Sequence, residues 1–345
     1  MTGQGEKAEG RGGTATPAAA IPAGRFAPAA PYRAPRWLRG GHAQTVYPAL
    51  FLRGPQPRYR RERWDTPDGD FIDLDFVDGG GARAPRVALF HGLEGSSSSH
   101  YAVALMRALD RAGWNGVVVH FRGCSGELNR LPRAYHSGDA PEIGWILARL
   151  ARLGQPLYAA GVSLGGNALL KWLGESGDGA RMQLQAAAAV SAPLDLMAAG
   201  AALGQGFNLV YTRMFLTTLR RKSMDKLARF PRIFDRGSVL AARNLRQFDD
   251  AVTAPLHGFR DTDDYWTRAS AKPVLAGVRL PTLVLNARND PFLPARHLPR
   301  PLEVSAMVCL EQPEEGGHVG FASGAFPGNL DWLPQRLLAF FAGHR

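Results

Sequence analysis

Gly161-Val162-Ser163-Leu164-Gly165-Gly166 identifies the fold class of this chain most directly. The apolar residues 157–160 before it predict a buried strand, and residues 167–173 after it are helix formers with one apolar face. A serine between glycines at such a junction is typical of a nucleophile elbow, a strained turn that exposes the hydroxyl. Its neighbours must be small because the strand and the helix pass close to it. The alternative is an ordinary turn with an incidental serine, and the rest of the chain distinguishes the two.

Further apolar runs on both sides of this stretch predict buried strands at residues 87–90, 116–119, 185–190, 282–285 and 306–310. Amphipathic helices are predicted over residues 101–112, 142–153 and 329–342. Buried runs that alternate with helices predict an α/β fold with a mostly parallel central sheet and helices on both faces. Residues 58–64 and 70–76 instead alternate polar and apolar side chains, which predicts half-exposed antiparallel strands at the N-terminal edge.

The interval 194–273 contains no predicted core strand. A structureless loop of that length does not fit a compact domain. We therefore expect an inserted helical cap there, between two parts of an α/β core at residues 36–193 and 274–345. Residues 1–35 are rich in Ala, Gly and Pro and lack periodicity, which predicts a disordered tail.

Basic side chains accompany the apolar positions of this cap interval: Arg220, Arg221, Lys222, Lys226 and Arg229. We interpret them as the solvated surface of a helix. The alternative is a face that binds a membrane surface or an anionic substrate, with weak membrane association as its consequence.

The formal net charge of +11 raises the question of a nucleic-acid partner. The basic residues are mostly scattered arginines, and neither a nucleic-acid motif nor a phosphate-cradling loop is present. Cys124 and Cys309 form no disulfide framework and fit no zinc spacing. The N-terminus lacks the pattern of an export signal, and the uncharged run 196–212 is too rich in Gly and polar residues for a membrane span. We expect a soluble cytoplasmic protein with no metal, no cofactor and no nucleic-acid partner.

A serine nucleophile needs a base within hydrogen-bond reach and a carboxylate to orient that base. In a sheet of this kind the order along the chain is Ser, then Asp or Glu, then His, each at the carboxyl end of a strand. Asp290 follows the predicted strand 282–285, and His318 follows the strand 306–310. The sequence therefore predicts Ser163, Asp290 and His318 as a catalytic triad.

Other residues could take these roles. Asp195 follows the strand that ends near Ser191 and could supply the acid, although capping of a helix explains it equally well. His91, His120 and His136 also lie near strand ends, but each precedes Ser163, which is the wrong order for the base.

The turn at residues 91–95 ends one strand and leads into the next helix, which is where the first donor of an oxyanion hole is expected. We assign the two donors to the backbone N–H groups of Leu93 and Leu164, the second being the residue after the nucleophile.

Several motifs remain beside the elbow: His42-Ala43-Gln44-Thr45, His91-Gly92-Leu93-Glu94-Gly95-Ser96, Phe121-Arg122-Gly123-Cys124-Ser125-Gly126, Tyr135-His136-Ser137-Gly138, His257-Gly258-Phe259, Asp264-Tyr265 and Asn289-Asp290-Pro291-Phe292. With them, the chain from about Trp37 onward resembles the YheT-like branch of the α/β-hydrolases. The resemblance implies a serine esterase with carboxylesterase or acylglycerol-lipase activity, and some eukaryotic relatives are acyltransferases. Membrane-anchored relatives carry an N-terminal transmembrane helix where this chain has its Ala/Pro-rich tail. For His42 and Gln44 we predict only packing against the core.

The sequence thus predicts a serine hydrolase that cleaves small-molecule carboxylic esters, with an apolar cap suited to medium or long acyl chains. Acyl transfer to an alcohol by the same triad is the close alternative. A non-catalytic ligand-binding protein on this fold and a polyanion-binding protein are the others. The sequence does not indicate an oligomeric state.

Overall fold

The computed structural model describes residues 30–345, so most of the predicted tail, residues 1–35, lies outside the described residues. Residues 30–35 belong to the folded part. Tyr32 is buried, its hydroxyl donates to the carbonyl of Ala322, and its ring packs edge-on against Trp332. Tyr32, together with the carbonyl of Ala30, which accepts from Trp332 Nε1, therefore attaches part of the predicted tail to the core.

Within residues 30–345, eight strands form one sheet in the order β1-β2-β4-β3-β5-β6-β7-β8. Their bounds are β1 Arg60–Asp65, β2 Phe71–Asp78, β3 Arg86–Phe90, β4 Asn115–Val119, β5 Leu157–Val162, β6 Ala186–Val190, β7 Thr282–Leu285 and β8 Val308–Glu311. β2 pairs antiparallel with β1 and β4, and the pairs from β4 through β8 are all parallel. The prediction of a mostly parallel sheet with an antiparallel N-terminal edge is confirmed.

The helices of residues 30–345 are α1 Gly41–Phe51, α2 His100–Ala112, α3 Ala140–Ala151, α4 Leu164–Ser176, α5 Leu196–Leu203, α6 Leu209–Arg229, α7 Arg236–Ala241, α8 Leu245–Phe248, α9 Ala254–Leu256, α10 Thr262–Ala269 and α11 Trp332–Ala342. Helix α1 was not predicted. In the part of the chain that is described, no helix combines the length and the apolar character needed to cross a bilayer.

Core helices cover the sheet on both faces, as predicted. Val87 and Ala88 are neighbours on β3 and point to opposite faces. Val87 shares an apolar cluster with Met106 of α2 and Phe341 of α11. Ala88 belongs to a separate cluster with Leu169 of α4 and residues of α3. The two clusters are the two layers of core on either side of the sheet.

Strand β2, which lies between β1 and β4, is buried along its length except at its last residue, so the prediction of a half-exposed strand is wrong for it. Asp73 and Asp75 stand opposite Arg63 and Arg61 of β1 in the sheet register. Each arginine donates two hydrogen bonds to the facing carboxylate. The polar positions of β2 are buried because these bidentate pairs satisfy them.

Helices α5 to α10 occupy the interval between β6 and β7 that was predicted as a cap, and we call them the cap helices. They have an apolar cluster of their own: Leu216, Phe234, Val239, Ala242, Phe248 and Val252. Asn167 of α4 holds the segment in which the chain leaves α10 and re-enters the core. Its side-chain amide donates to the carbonyl of Ala269 and accepts from the N–H of Ala271. The cap helices are thereby tied to the helix that follows the elbow serine.

Candidate active site

Ser163 lies at the junction of β5 and α4 with φ 53° and ψ −121°, a left-handed conformation rare for a residue with a side chain. The glycines beside it allow the close approach of three backbone segments. A Cβ added at Gly161 would lie 2.5 Å from the carbonyl oxygen of Gly165. One added at Gly165 would lie 2.4 Å from the carbonyl oxygen of Phe90 on β3. This is the geometry expected of a nucleophile elbow, with the serine held at the carboxyl end of the sheet.

Replacing Gly165 by alanine is expected to lower the free energy of unfolding by about 3 kcal/mol, because the added methyl group meets backbone atoms that cannot rotate away. Gly81→Ala is the matched control, since a Cβ added there has nothing within 4 Å. Denaturant unfolding of both variants measures the difference. Equal stability of the two would contradict the tight packing at the elbow.

The structure brings the three predicted triad residues into one hydrogen-bonded row. His318 Nε2 lies 2.9 Å from Ser163 Oγ, and His318 Nδ1 lies 2.9 Å from Asp290 Oδ2. Asp290 follows β7 and is buried, and the N–H of Phe292 donates to its Oδ1. The Phe292 ring also stacks on the imidazole at 4.0 Å between centroids. With a proton on Nδ1 the imidazole donates to Asp290 and leaves Nε2 free to accept the serine proton.

The alternative acid, Asp195, does not join this row. Its side chain accepts from the N–H of Ala198 and caps the N-terminus of α5. Its carboxylate therefore has the structural role that the sequence also allowed.

The alternative bases are occupied elsewhere. His120 Nε2 lies 2.8 Å from the buried carboxylate of Asp75, and His136 packs against His257 at 4.4 Å between ring centroids. His91 is completely buried, and burial lowers its pKa to about 3, so its ring is neutral. In the described part of the chain, no hydrogen bond joins any of these three histidines to Ser163.

Leu93 and Leu164, the predicted oxyanion donors, both line the cavity that Ser163 faces. Leu164 is the first residue of α4, where backbone N–H groups have no acceptor within the helix. The turn that carries Leu93 passes close to the serine: a Cβ added at Gly92 would lie 3.1 Å from Ser163 Cβ.

Hydrogen bonds hold the turn around Leu93. The N–H of Gly92 donates to the hydroxyl of Tyr101, and the N–H of Glu94 donates to the hydroxyl of Tyr135. The Tyr135 hydroxyl donates in turn to the Glu94 carboxylate. The N–H groups on either side of Leu93 are thus engaged by two tyrosines that fix the turn.

The cavity above Ser163 has a volume of about 1190 Å³ including its open mouth. Its walls are mainly apolar and come from the cap helices and the core: Leu196, Leu203, Phe215, Leu219, Leu245, Phe248, Val252, Trp266 and Phe292. A mostly apolar pocket with a small number of polar groups at one end is the usual form of a small-molecule site.

Two basic residues of α6 point into this cavity, so the prediction of a solvated surface is wrong for them. Lys222 Nζ lies 2.8 Å from the Glu94 carboxylate. Lys226 is buried, and its ammonium donates to Asn129 Oδ1 and to two backbone carbonyls. Burial lowers the pKa of Lys226 to about 8, although the nearby Asp70 acts in the opposite direction. The sequence could not show this, because residues far along the chain supply the acceptors.

His42 is exposed and contacts the cap, so the prediction that it packs against the core is wrong. Its Nδ1 lies 3.1 Å from the Tyr211 hydroxyl, and its ring contacts that of Phe207. Within residues 30–345, no group of three or more His, Cys, Asp or Glu side chains has an arrangement suited to a metal ion. The expectation of a cofactor-independent reaction and of a cytoplasmic location stays a prediction.

Comparison with known proteins places this chain in a family. Residues 85–325 match the family described as "alpha/beta hydrolase fold". The chain is 39% identical over 321 residues to "Putative esterase YheT" of Escherichia coli strain K12, which covers 91% of this chain and 94% of that protein. It is 31% identical over 310 residues to human "Phospholipase ABHD3", covering 87% of this chain and 75% of that protein.

Among solved structures, an esterase of Pyrococcus furiosus, Pf2001, has the same fold with a TM-score of 0.51 at 14% identity, over 83% of this chain and 92% of that one. The extent of these matches, together with the sheet order and the position of Ser163, leads to one assignment. The chain belongs to the α/β-hydrolase family, in the branch that includes YheT.

Proposed function

We propose that the protein is a serine hydrolase of carboxylic esters with medium or long acyl chains. One observation carries the proposal: Ser163 Oγ, the His318 imidazole and the Asp290 carboxylate form a continuous hydrogen-bonded row at the base of an apolar cavity. The names of the relatives, an esterase and a phospholipase, support the ester bond as the target.

In the first half of the reaction, Ser163 Oγ attacks the ester carbonyl carbon while its proton moves to His318 Nε2. Asp290 stabilises the imidazolium that forms. His318 then returns the proton to the leaving alcohol, the C–O bond of the ester breaks, and an acyl-serine remains. A water molecule, deprotonated by the same imidazole, releases the acid and restores the serine hydroxyl.

Negative charge develops on the carbonyl oxygen in both halves of the reaction. We assign the N–H groups of Leu93 and Leu164 as its donors. The N–H groups of Gly92 and Glu94 are already bound to tyrosine hydroxyls, which leaves the Leu93 N–H as the one from this turn to face the site. The first turn of α4 adds the positive end of a helix dipole.

An ester panel from acetate to palmitate tests the substrate class. We expect kcat/KM to rise by at least about tenfold from acetate to octanoate, because each buried methylene contributes about 0.8 kcal/mol. Leu219→Trp, which fills part of the cavity, should lower activity on the long esters far more than on acetate. Leu240→Trp is the control, since Leu240 is an exposed cap residue outside the cavity wall. A flat profile in the wild type would contradict the acyl-chain assignment.

The alternatives give different products. Acyl transfer would use the same triad with an alcohol in place of water, so product analysis with ethanol present separates the two: free acid supports hydrolysis and ethyl ester supports transfer. A non-catalytic binder would release no product. A polyanion-binding protein would shift DNA or heparin with a steep dependence on salt concentration.

A further inference from the structure

The loop that carries His318 is held in place by hydrogen bonds to side chains from other parts of the molecule. The backbone N–H groups of residues 316 to 319 donate, in order, to Gln44 Oε1, Asn289 Oδ1, Thr45 Oγ1 and Ser191 Oγ at 2.8 to 3.0 Å. His318 lies in the connection between β8 and α11, outside both elements. Its position therefore depends on these anchors, and α1 supplies two of the four.

Gln44 joins this loop to the loop that carries Asp290. Its Oε1 accepts from the N–H of Gly316 at 2.9 Å and from the side-chain amide of Asn289, the neighbour of Asp290, at 2.8 Å. Its Nε2 donates to the carbonyl of Leu38 and to the Glu315 carboxylate. Gln44 lies between the two loops with only 1% of its surface exposed, and both its amide oxygen and its amide nitrogen form hydrogen bonds.

Backbone contacts show how closely α1 is seated on these loops. A Cβ added at Gly41 would lie 2.0 Å from the carbonyl oxygen of Asn289. One added at Gly320 would lie 1.8 Å from the carbonyl oxygen of Gln44. Such contacts require glycine on both sides of the interface. Helix α1 also lies outside residues 85–325, the segment that matches the family.

We propose that α1 is part of the active-site assembly and that Gln44 and Thr45 are positioning residues, which set the imidazole of His318 against Asp290 and Ser163. The inference rests on the proposed function. A triad works only when its members are held to within about 0.5 Å of the productive geometry. Gln44 fixes the acid loop relative to the base loop, and Thr45 binds the N–H of His318 itself.

The test measures the rate constant with which a fluorophosphonate labels Ser163, separately from the fraction of protein that becomes labelled. A purely structural role would lower the labelled fraction and leave the rate constant of the folded molecules unchanged. We expect Gln44→Ala to lower the rate constant by about 100-fold, the usual effect of a misplacement near 1 Å. Its kcat on an ester should fall in parallel, with little change in KM.

Thr45 gives a matched pair that does not depend on the folding of Gln44→Ala. Thr45→Val removes the hydroxyl at nearly constant shape, so the N–H of His318 loses its acceptor and the carbonyl of Gly41 loses its donor. We expect the rate constant to fall by about tenfold, which corresponds to about 1.4 kcal/mol. Thr45→Ser should restore it. Leu50→Ala, at an exposed position of the same helix, is the control and should label at the wild-type rate.

Wild-type rate constants in both Gln44→Ala and Thr45→Val would overturn the inference. Failure of the wild type to label at all would instead refute the proposed function, so the two failures are distinguishable.

Discussion

Ser163→Ala is expected to lower turnover of a p-nitrophenyl ester by about 10⁴-fold or more. The methyl group cannot form the acyl intermediate, and His318 Nε2, 2.9 Å from the serine oxygen in the wild type, loses its partner. Residual activity would come from the oxyanion donors and the cavity alone. Steady-state assays with purified protein measure the effect.

Ser223→Ala is the matched control for this variant. Ser223 also lines the cavity, but its hydroxyl donates to the carbonyl of Leu219 and, among the described residues, forms no hydrogen bond with the triad. We expect its turnover to stay near that of the wild type. Unchanged turnover in Ser163→Ala would assign the nucleophile to another residue.

Asp290→Asn is expected to lower kcat by a similar factor of about 10⁴, with the fold retained. An amide directed at His318 Nδ1 donates where the carboxylate accepted, which favours the tautomer with its proton on Nε2. That nitrogen then cannot accept the proton of Ser163. Steady-state kinetics and circular dichroism, measured together, separate the loss of activity from any loss of structure.

Asp195→Asn tests the alternative acid with the same chemical change. Asp195 caps α5, and Asn is as good a cap as Asp, so both stability and turnover should remain close to wild type. The assignment of the acid would be wrong if Asp195→Asn lost activity and Asp290→Asn kept it.

The order of strands and helices was readable from the sequence because buried parallel strands are continuous apolar runs. The run at β7, residues 282–285, matches the observed strand at both ends. The row of Ser163, Asp290 and His318 followed from chain order and strand-end position, since parallel strands bring their carboxyl ends to one edge. Apolar runs were sufficient for the strands, whereas the triad also required the elbow motif and the expected chain order.

Features that depend on a distant polar partner were missed. The burial of β2 requires the arginines of β1, and their matched spacing at Arg61, Arg63, Asp73 and Asp75 was the available signal. Lys226 finds its acceptors in a loop about a hundred residues away, and the Gln44 side chain finds three of its partners at the other end of the chain. A local sequence pattern cannot predict such pairings, because the burial of a polar side chain depends on partners that lie far away along the chain.

The most direct measurement is the site of reaction with a fluorophosphonate in the wild-type protein, read by intact-mass and peptide mass spectrometry. Attack by an activated hydroxyl forms an oxygen–phosphorus bond, expels fluoride and passes the serine proton to His318. We expect a single adduct, located on Ser163 and absent from Ser163→Ala. An unlabelled wild type, or an adduct on a different residue, would contradict it.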